Sequence, residues 1–347
     1  MKSHLRILGF DGIRGLAILS VILTHLHILK PLPDRIEDLV KGSNGVQAFF
    51  VLSGFLITML LIKEHDETSK VSIKNFYARR ALRIFPVYIL FLLMVTLVSA
   101  YHLCEINGQA LLFAYTYIYN FLPRDSYVAL LGHTWSLAVE EHFYLIWPFI
   151  FSLLIKKSRA LIAILIASFA LSILAVNILS STWIAKTFFI WRWTPIPGSN
   201  IVIGCLLAMM ITGQNRNQSL VKVLRSPWTM ILGLFFYIHT VFSIELPFHF
   251  GPYIKGIGIG LMITWIYLNQ ESRPVKFLEF SPLRWIGVIS YGIYLYQGFF
   301  LSTGPERAPG QMWPPPNQFI GLSLLIIAAP LSYLFIEKPL LKLKAKF

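Results

Sequence analysis

"FDGIRGLAILSVILTHLHIL", residues 10–29, is a run of membrane-spanning length that nevertheless holds Arg14, His25 and His27. Each residue of an α-helix turns about 100° and rises about 1.5 Å, so Arg14 and His25 return to within roughly 20° of one face, about 16 Å apart along the axis. His27 projects about 200° away from His25. Ionisable groups inside lipid cost free energy and mark a pathway or a partner. The spacing predicts Arg14 just inside one membrane boundary and His25 near or beyond the midplane, both facing one cavity. Simpler readings stand beside it: Arg14 snorkels to headgroups, His25 makes an interhelical hydrogen bond, His27 sits at the outer interface, and Asp11 caps the helix.

The rest of the chain has the same character. Of 347 residues 56% are hydrophobic and 13% charged, with mean hydropathy +0.66, which excludes an ordinary soluble domain. Lipid leaves backbone amides no partner but each other, so an all-α polytopic fold is expected. The apolar runs 10–29, 45–63, 83–103, 136–155, 160–180, 199–213, 228–242, 253–268, 285–303 and 317–336 predict about ten transmembrane helices. With a cytoplasmic N-terminus, 22 of the 30 Lys and Arg residues fall on the cytoplasmic side, which places both termini there and makes this a multi-pass plasma or inner-membrane protein. The net charge of +14 is then membrane anchoring, and no nucleic-acid partner is implied. The segment 108–121 would spoil this asymmetry as a span and is expected to be a re-entrant or interfacial helix. A signal peptide at the first span is disfavoured because no A-x-A-like site follows. The two cysteines, Cys104 and Cys205, are read as packing residues. No repeat or appended soluble domain is expected, and no metal site is assigned.

A long molecule with phosphates at one end and a reactive group at the other would span the Arg14–His25 face. Acyl coenzyme A has this shape, and a neutral imidazole suits the removal of a proton from an acceptor hydroxyl. In "NFYARRALRIFPVYIL", 75–90, Arg79 and Arg83 lie one helical turn apart with Arg80 beside them, a candidate phosphate clamp or simply positive-inside anchoring. In "HTWSLAVEEHFYLIWP", 133–148, Ser136 and Glu140 share a face. Glu140 would orient or charge-stabilise His25, bind the acceptor, or make a structural hydrogen bond, while Glu141 and His142 point elsewhere, toward headgroups. "NGVQAFFVLSGFLIT", 44–58, offers small residues for close packing; Ser53 there lacks the strand-borne elbow of a nucleophile. Tyr291 and Gln297 in "ISYGIYLYQG", 289–298, and Arg192 in "FFIWRWTPIPG", 188–198, are candidate acceptor contacts or interfacial anchors. "FIEKPL", 335–340, closes the last run with Glu337.

"DGIRGLAILSVILTH", "GVQAFFVLSGFLIT", "RRALRIFP", "WSLAVEEHFY", "SYGIYLYQ" and "FIEKP", in this order, resemble the membrane acyltransferase-three family of O-acyltransferases, which modify polysaccharides, lipopolysaccharide and other hydroxyl acceptors. The resemblance covers essentially the whole chain. It implies a ten-helix core, acyl-CoA (in the simplest case acetyl-CoA) as co-substrate without a permanently bound cofactor, and His25 as the essential residue. It further implies that Arg14, Arg80 and Arg83 are functional positions, with Glu140 at the family's acid and membrane lipids as surroundings. Gln297 stands where many members carry histidine, and Asn200 where an acid is common, so the carbohydrate acceptor is the less constrained side. A transporter or flippase for a lipid-linked sugar, or an acyltransferase for a lipid or small molecule, are the alternative readings. The polar motifs crowd into the first four runs without the matched halves of a transporter.

Overall fold

The structure is a computed structural model that describes residues 6–26, 33–213, 216–242, 249–301 and 312–344; His27 lies outside them. The described residues form helices, with a single isolated bridge between Pro123 and Phe188. α1 (Phe10–His25) is followed by α2 (Asp34–Val40) and α3 (Gly42–Thr68). Gly45 of α3 faces Ala17 and Ser20, and Gly42 faces Val21 and Thr24, so α1 and α3 run antiparallel. α4 (Ile73–Ala100) begins behind Ser72, whose hydroxyl accepts the Asn75 amide and satisfies one orphan donor of the first turn. α5 (Gly108–Tyr115) has eight residues, about 12 Å. It is too short to cross a bilayer and is tied to α4 where the Tyr88 hydroxyl donates to the Ala114 carbonyl at 2.8 Å.

α6 (Thr134–Leu154) and α7 (Ser158–Ser180) are separated by a tight turn at 155–157, where the apolar run meets "KKSR". After α8 (Trp183–Thr187), α9 (Gly198–Ile211) makes the closest packing in the bundle. Gly54 of α3 faces the Ile201 carbonyl, Gly204 of α9 faces the Val51 carbonyl, and a Cβ at either position would overlap backbone. Two helices approach this closely only through such small residues. α10 (Gln218–Arg225) and α11 (Pro227–Phe242) meet at a bend of 67°. α12 (Gly251–Leu268), α13 (Arg273–Leu278), α14 (Ser281–Val288), α15 (Ser290–Leu301) and α16 (Gln318–Ser332) follow, and a π-helical turn at Tyr333–Glu337 leads into α17 (Lys338–Leu343).

Among the described residues four helical stretches are long and apolar enough to cross a membrane: Asp34–Thr68, Ile73–Ala100, Ala129–Ser180 and Gln318–Leu343. The bent pair of α10 and α11 makes a fifth if it counts as one span. About ten full spans are therefore not established. Apolar composition marks burial in lipid or in protein alike, whereas a crossing also needs an unbroken helix of about 20 residues. α1 has 16 and α9 has 14. Large apolar side chains nonetheless cover the outer surface, among them Leu153 at 78% and Phe335 at 74% exposure, a surface suited to lipid and not to water. The chain is an integral membrane protein. Both cysteines are buried. α3 lies at the centre of the packing, with α1 and α9 against it and α4 and α6 completing the wall of an internal cavity.

Candidate active site

The cavity, about 330 Å³, is lined by α1, α3, α4, α6, α15 and the residue that follows α17. One end is basic. Arg6, Arg14, Arg80, Arg83 and Lys344 all border it. Arg14 Nη1 donates to Asp11 Oδ1 at 2.7 Å, and Arg6 pairs with Glu279. Asp11 is thus a salt-bridge partner and not the cap expected from the sequence; the cap is Gly9, whose backbone is left-handed at φ 84°. Arg79 turns away from the cavity to Glu64 at 3.2 Å. Of the expected clamp, the structure gathers Arg80 and Arg83 and sends Arg79 to the end of α3, because adjacent helical positions diverge by about 100°. The Arg80 guanidinium lies over the Tyr144 ring, 5.0 Å from its centroid. Among the described residues Arg80, Arg83 and Lys344 make no salt bridge. Three cations facing one hollow in this way form a seat for a polyanion.

Deeper in, the wall is acidic and hydroxylic. The Ser53 hydroxyl donates to Glu140 Oε1 at 2.9 Å, and the Tyr144 hydroxyl lies 3.2 Å from Glu140 Oε2 and 3.1 Å from Ser53 Oγ. Both carboxylate oxygens therefore serve neighbours on α3 and α6. The expected Glu140 support of His25 is not formed, and Ser53 directs its proton to the carboxylate as an orienting group. Glu141, expected to face headgroups, borders the same cavity, since the hollow wraps far enough round α6 to meet two successive residues. His142 is also held within the protein: its Nδ1 is 2.7 Å from Thr194 Oγ1 and its ring stacks on Phe121.

At the inner end the Ser136 and Tyr294 hydroxyls are 2.6 Å apart, and Tyr291, also on the wall, donates to the Ile84 carbonyl at 2.9 Å. Arg14 and His25 do not both line this cavity. Val46 is part of this end, at the level of Ala17 and Ser20 on α1, five to eight residues or roughly 7–12 Å short of His25. The lining does not include His25. A shared helical face guarantees a shared direction but not an open path. His25 Nδ1 lies 2.7 Å from the Val21 carbonyl. A carbonyl only accepts, so Nδ1 carries a proton in this contact.

Between the cavity end and His25 stands His133, which sequence reasoning passed over. Its ring packs edge-on against Tyr294, with centroids 5.6 Å apart, and lies within electrostatic reach of His25. It is 4% exposed, approaches the Leu295 carbonyl, and makes no hydrogen bond of good geometry through either nitrogen. Its neighbour is visible only in the fold: Gly298 faces His133, and a Cβ there would collide with the imidazole. Gln297 is fully buried on α15 outside the cavity lining, with neither amide atom hydrogen-bonded. Arg192 does not line the cavity, though it lies within electrostatic reach of Tyr294 on the cavity wall. It and Arg124 stack on Phe189, at 4.1 and 4.3 Å from the ring centroid.

The acyltransferase-three family model, described as an acyltransferase domain, matches residues 7–336, which include every cavity residue named above except Arg6 and Lys344. The chain belongs to that family. Acyltransferase-three relatives include the peptidoglycan O-acetyltransferase OatA of Listeria monocytogenes, 30% identical over 96% of this chain and 56% of the relative. The putative peptidoglycan O-acetyltransferase YrhL of Bacillus subtilis is 31% identical over 98% and 55%, and a putative O-acetyltransferase of Staphylococcus aureus is 27% identical over 96% and 57%. The chain spans about half the length of these curated relatives. No solved structure matches it.

Proposed function

We propose that this acyltransferase-three chain moves an acetyl group from acyl-CoA to a hydroxyl of a cell-surface carbohydrate, with peptidoglycan as the first acceptor to test. The observation that carries the reading is the polarity of the cavity: three cations without salt bridges among the described residues at one end, and hydroxyls leading toward two imidazoles at the other. Phosphates of the donor bind Arg14, Arg80 and Arg83, and the excess of Lys and Arg expected on the cytoplasmic side supports reading that end as cytoplasmic. The relatives' names supply the acceptor class. Placed on His25, the thioester lies beyond Ser136 and Tyr294, so their hydrogen bond opens as the acyl arm passes.

Nε2 of His25 takes the proton from the acceptor hydroxyl, and the oxygen attacks the thioester carbonyl. The tetrahedral intermediate collapses with cleavage of the carbon–sulfur bond. The departing thiolate collects the proton from the imidazolium, which returns His25 to its neutral state. The Val21 carbonyl holds the reactive tautomer throughout.

The test uses the full chain in lipid nanodiscs with acetyl-CoA and soluble glycan fragments. Wild-type protein releases CoA thiol and adds one acetyl group to the glycan by mass, and His25→Ala does both at least about 100-fold more slowly while retaining its helical content. Absence of acetyl transfer by the wild type, or unchanged transfer by the variant, overturns the reading. Movement of unmodified glycan across the membrane would favour the transport alternative.

A further inference from the structure

Lys344 belongs to none of the motifs, yet it reaches the basic end of the cavity. The π-helical turn at Tyr333–Glu337 and α17 pack against α4, and this brings the residue after α17 beside Arg80 and Arg83. Lys344 is only partly exposed and makes no salt bridge among the described residues. The carboxylates around it are engaged elsewhere: Asp11 with Arg14, Glu64 with Arg79, and Glu140 with Ser53 and Tyr144. Glu141 faces the cavity from α6, while Glu337, Lys338 and Lys342 share the lysine's own segment.

We propose that Lys344 is a further donor-binding residue, which contacts a phosphate of acyl-CoA and takes up a proton as the donor arrives. The proposal rests on reading the cavity as the donor site. A compact ammonium set against a row of guanidiniums is the one cation of the group able to release its charge near neutral pH, since arginine stays protonated. Burial and the repulsion of Arg83, Arg80 and Arg79 push the Lys344 ammonium down to about 7. Phosphate supplies the missing negative charge and returns the proton. The sign follows: at low pH the lysine is already charged and the donor binds tightly, and affinity falls as pH rises through about 7 because binding must then draw a proton from solvent.

The experiment is calorimetry of CoA binding to the full chain in nanodiscs of neutral lipid, between about pH 6 and about pH 8.5, spanning the range in which a lysine so perturbed titrates. Buffers of different ionisation enthalpy report the protons taken up. The expected result is a loss of about tenfold in affinity on Lys344→Met at the acid end. In that variant proton uptake falls to the background of the phosphate monoester itself, which Lys344→Arg also shows while keeping tight binding. Pantetheine, which lacks the phosphates, binds all three proteins alike. Unchanged CoA affinity in Lys344→Met, an equal loss for pantetheine, or uptake in Lys344→Arg matching the wild type overturns the proposal. CoA binding without acetyl transfer sinks the enzymatic reading and leaves the lysine's role intact. Absence of CoA binding by the wild type sinks both.

Discussion

The two ends of the cavity solve opposite problems with the same helices. At the basic end α1 and α4 present long, flexible side chains whose charge is only partly neutralised: Arg14 has Asp11, while Arg80 and Arg83 have no salt bridge. At the inner end α6 and α15 present short or rigid neutral groups fixed by each other, with Ser136 against Tyr294 and Tyr294 against His133. The first arrangement leaves electrostatic energy to be satisfied by an incoming anion. The second pairs its hydroxyls internally and holds position. Binding and chemistry should therefore separate along the cavity.

The largest effect expected is His25→Ala, a fall of roughly 10²–10⁴-fold in kcat with KM for acetyl-CoA little changed. A rise in KM alone would place His25 with the binding groups and break the contrast. Next, Arg80→Gln with Arg83→Gln should raise KM for acetyl-CoA by about 10–100-fold at similar kcat, as expected for two lost charge-assisted contacts, while acetyl-pantetheine is turned over as before. Equal damage with acetyl-pantetheine would show that these arginines hold the fold. Gly298→Ala drives a methyl group into the His133 ring and should cost about 1–3 kcal/mol, visible as a lower melting temperature in nanodiscs. An unchanged melting temperature would mean the inner end is pliable. Ser53→Ala removes one of the two hydroxyls on Glu140. About 1 kcal/mol is expected, a change of a few-fold in turnover, and a total loss would promote Ser53 beyond an orienting role.

Much of this site was legible before the fold. The periodicity of α1 put Arg14 and His25 on one face, the small residues of "NGVQAFFVLSGFLIT" implied a close helix contact, and "KKSR" marked the boundary between α6 and α7. The errors share one cause. Arg79 is as basic as Arg80 and Arg83, and Asp11 is as good a cap as any aspartate, but each found a nearer partner in Glu64 and Arg14. His133 and Lys344 sit at the edges of their helices, where neither helical period nor charge counting assigns them a neighbour.

Composition and patterning alone determined a helical protein for lipid, with a cation and an imidazole on one line of its first helix, because those properties depend on residues close together in the chain. Tertiary structure alone decided how many helices among the described residues are long enough to cross, which arginines there stay without salt bridges, and which side chains line the cavity. Those outcomes depend on which side chains from distant segments compete for the same partner and the same space, and local sequence carries no record of that competition.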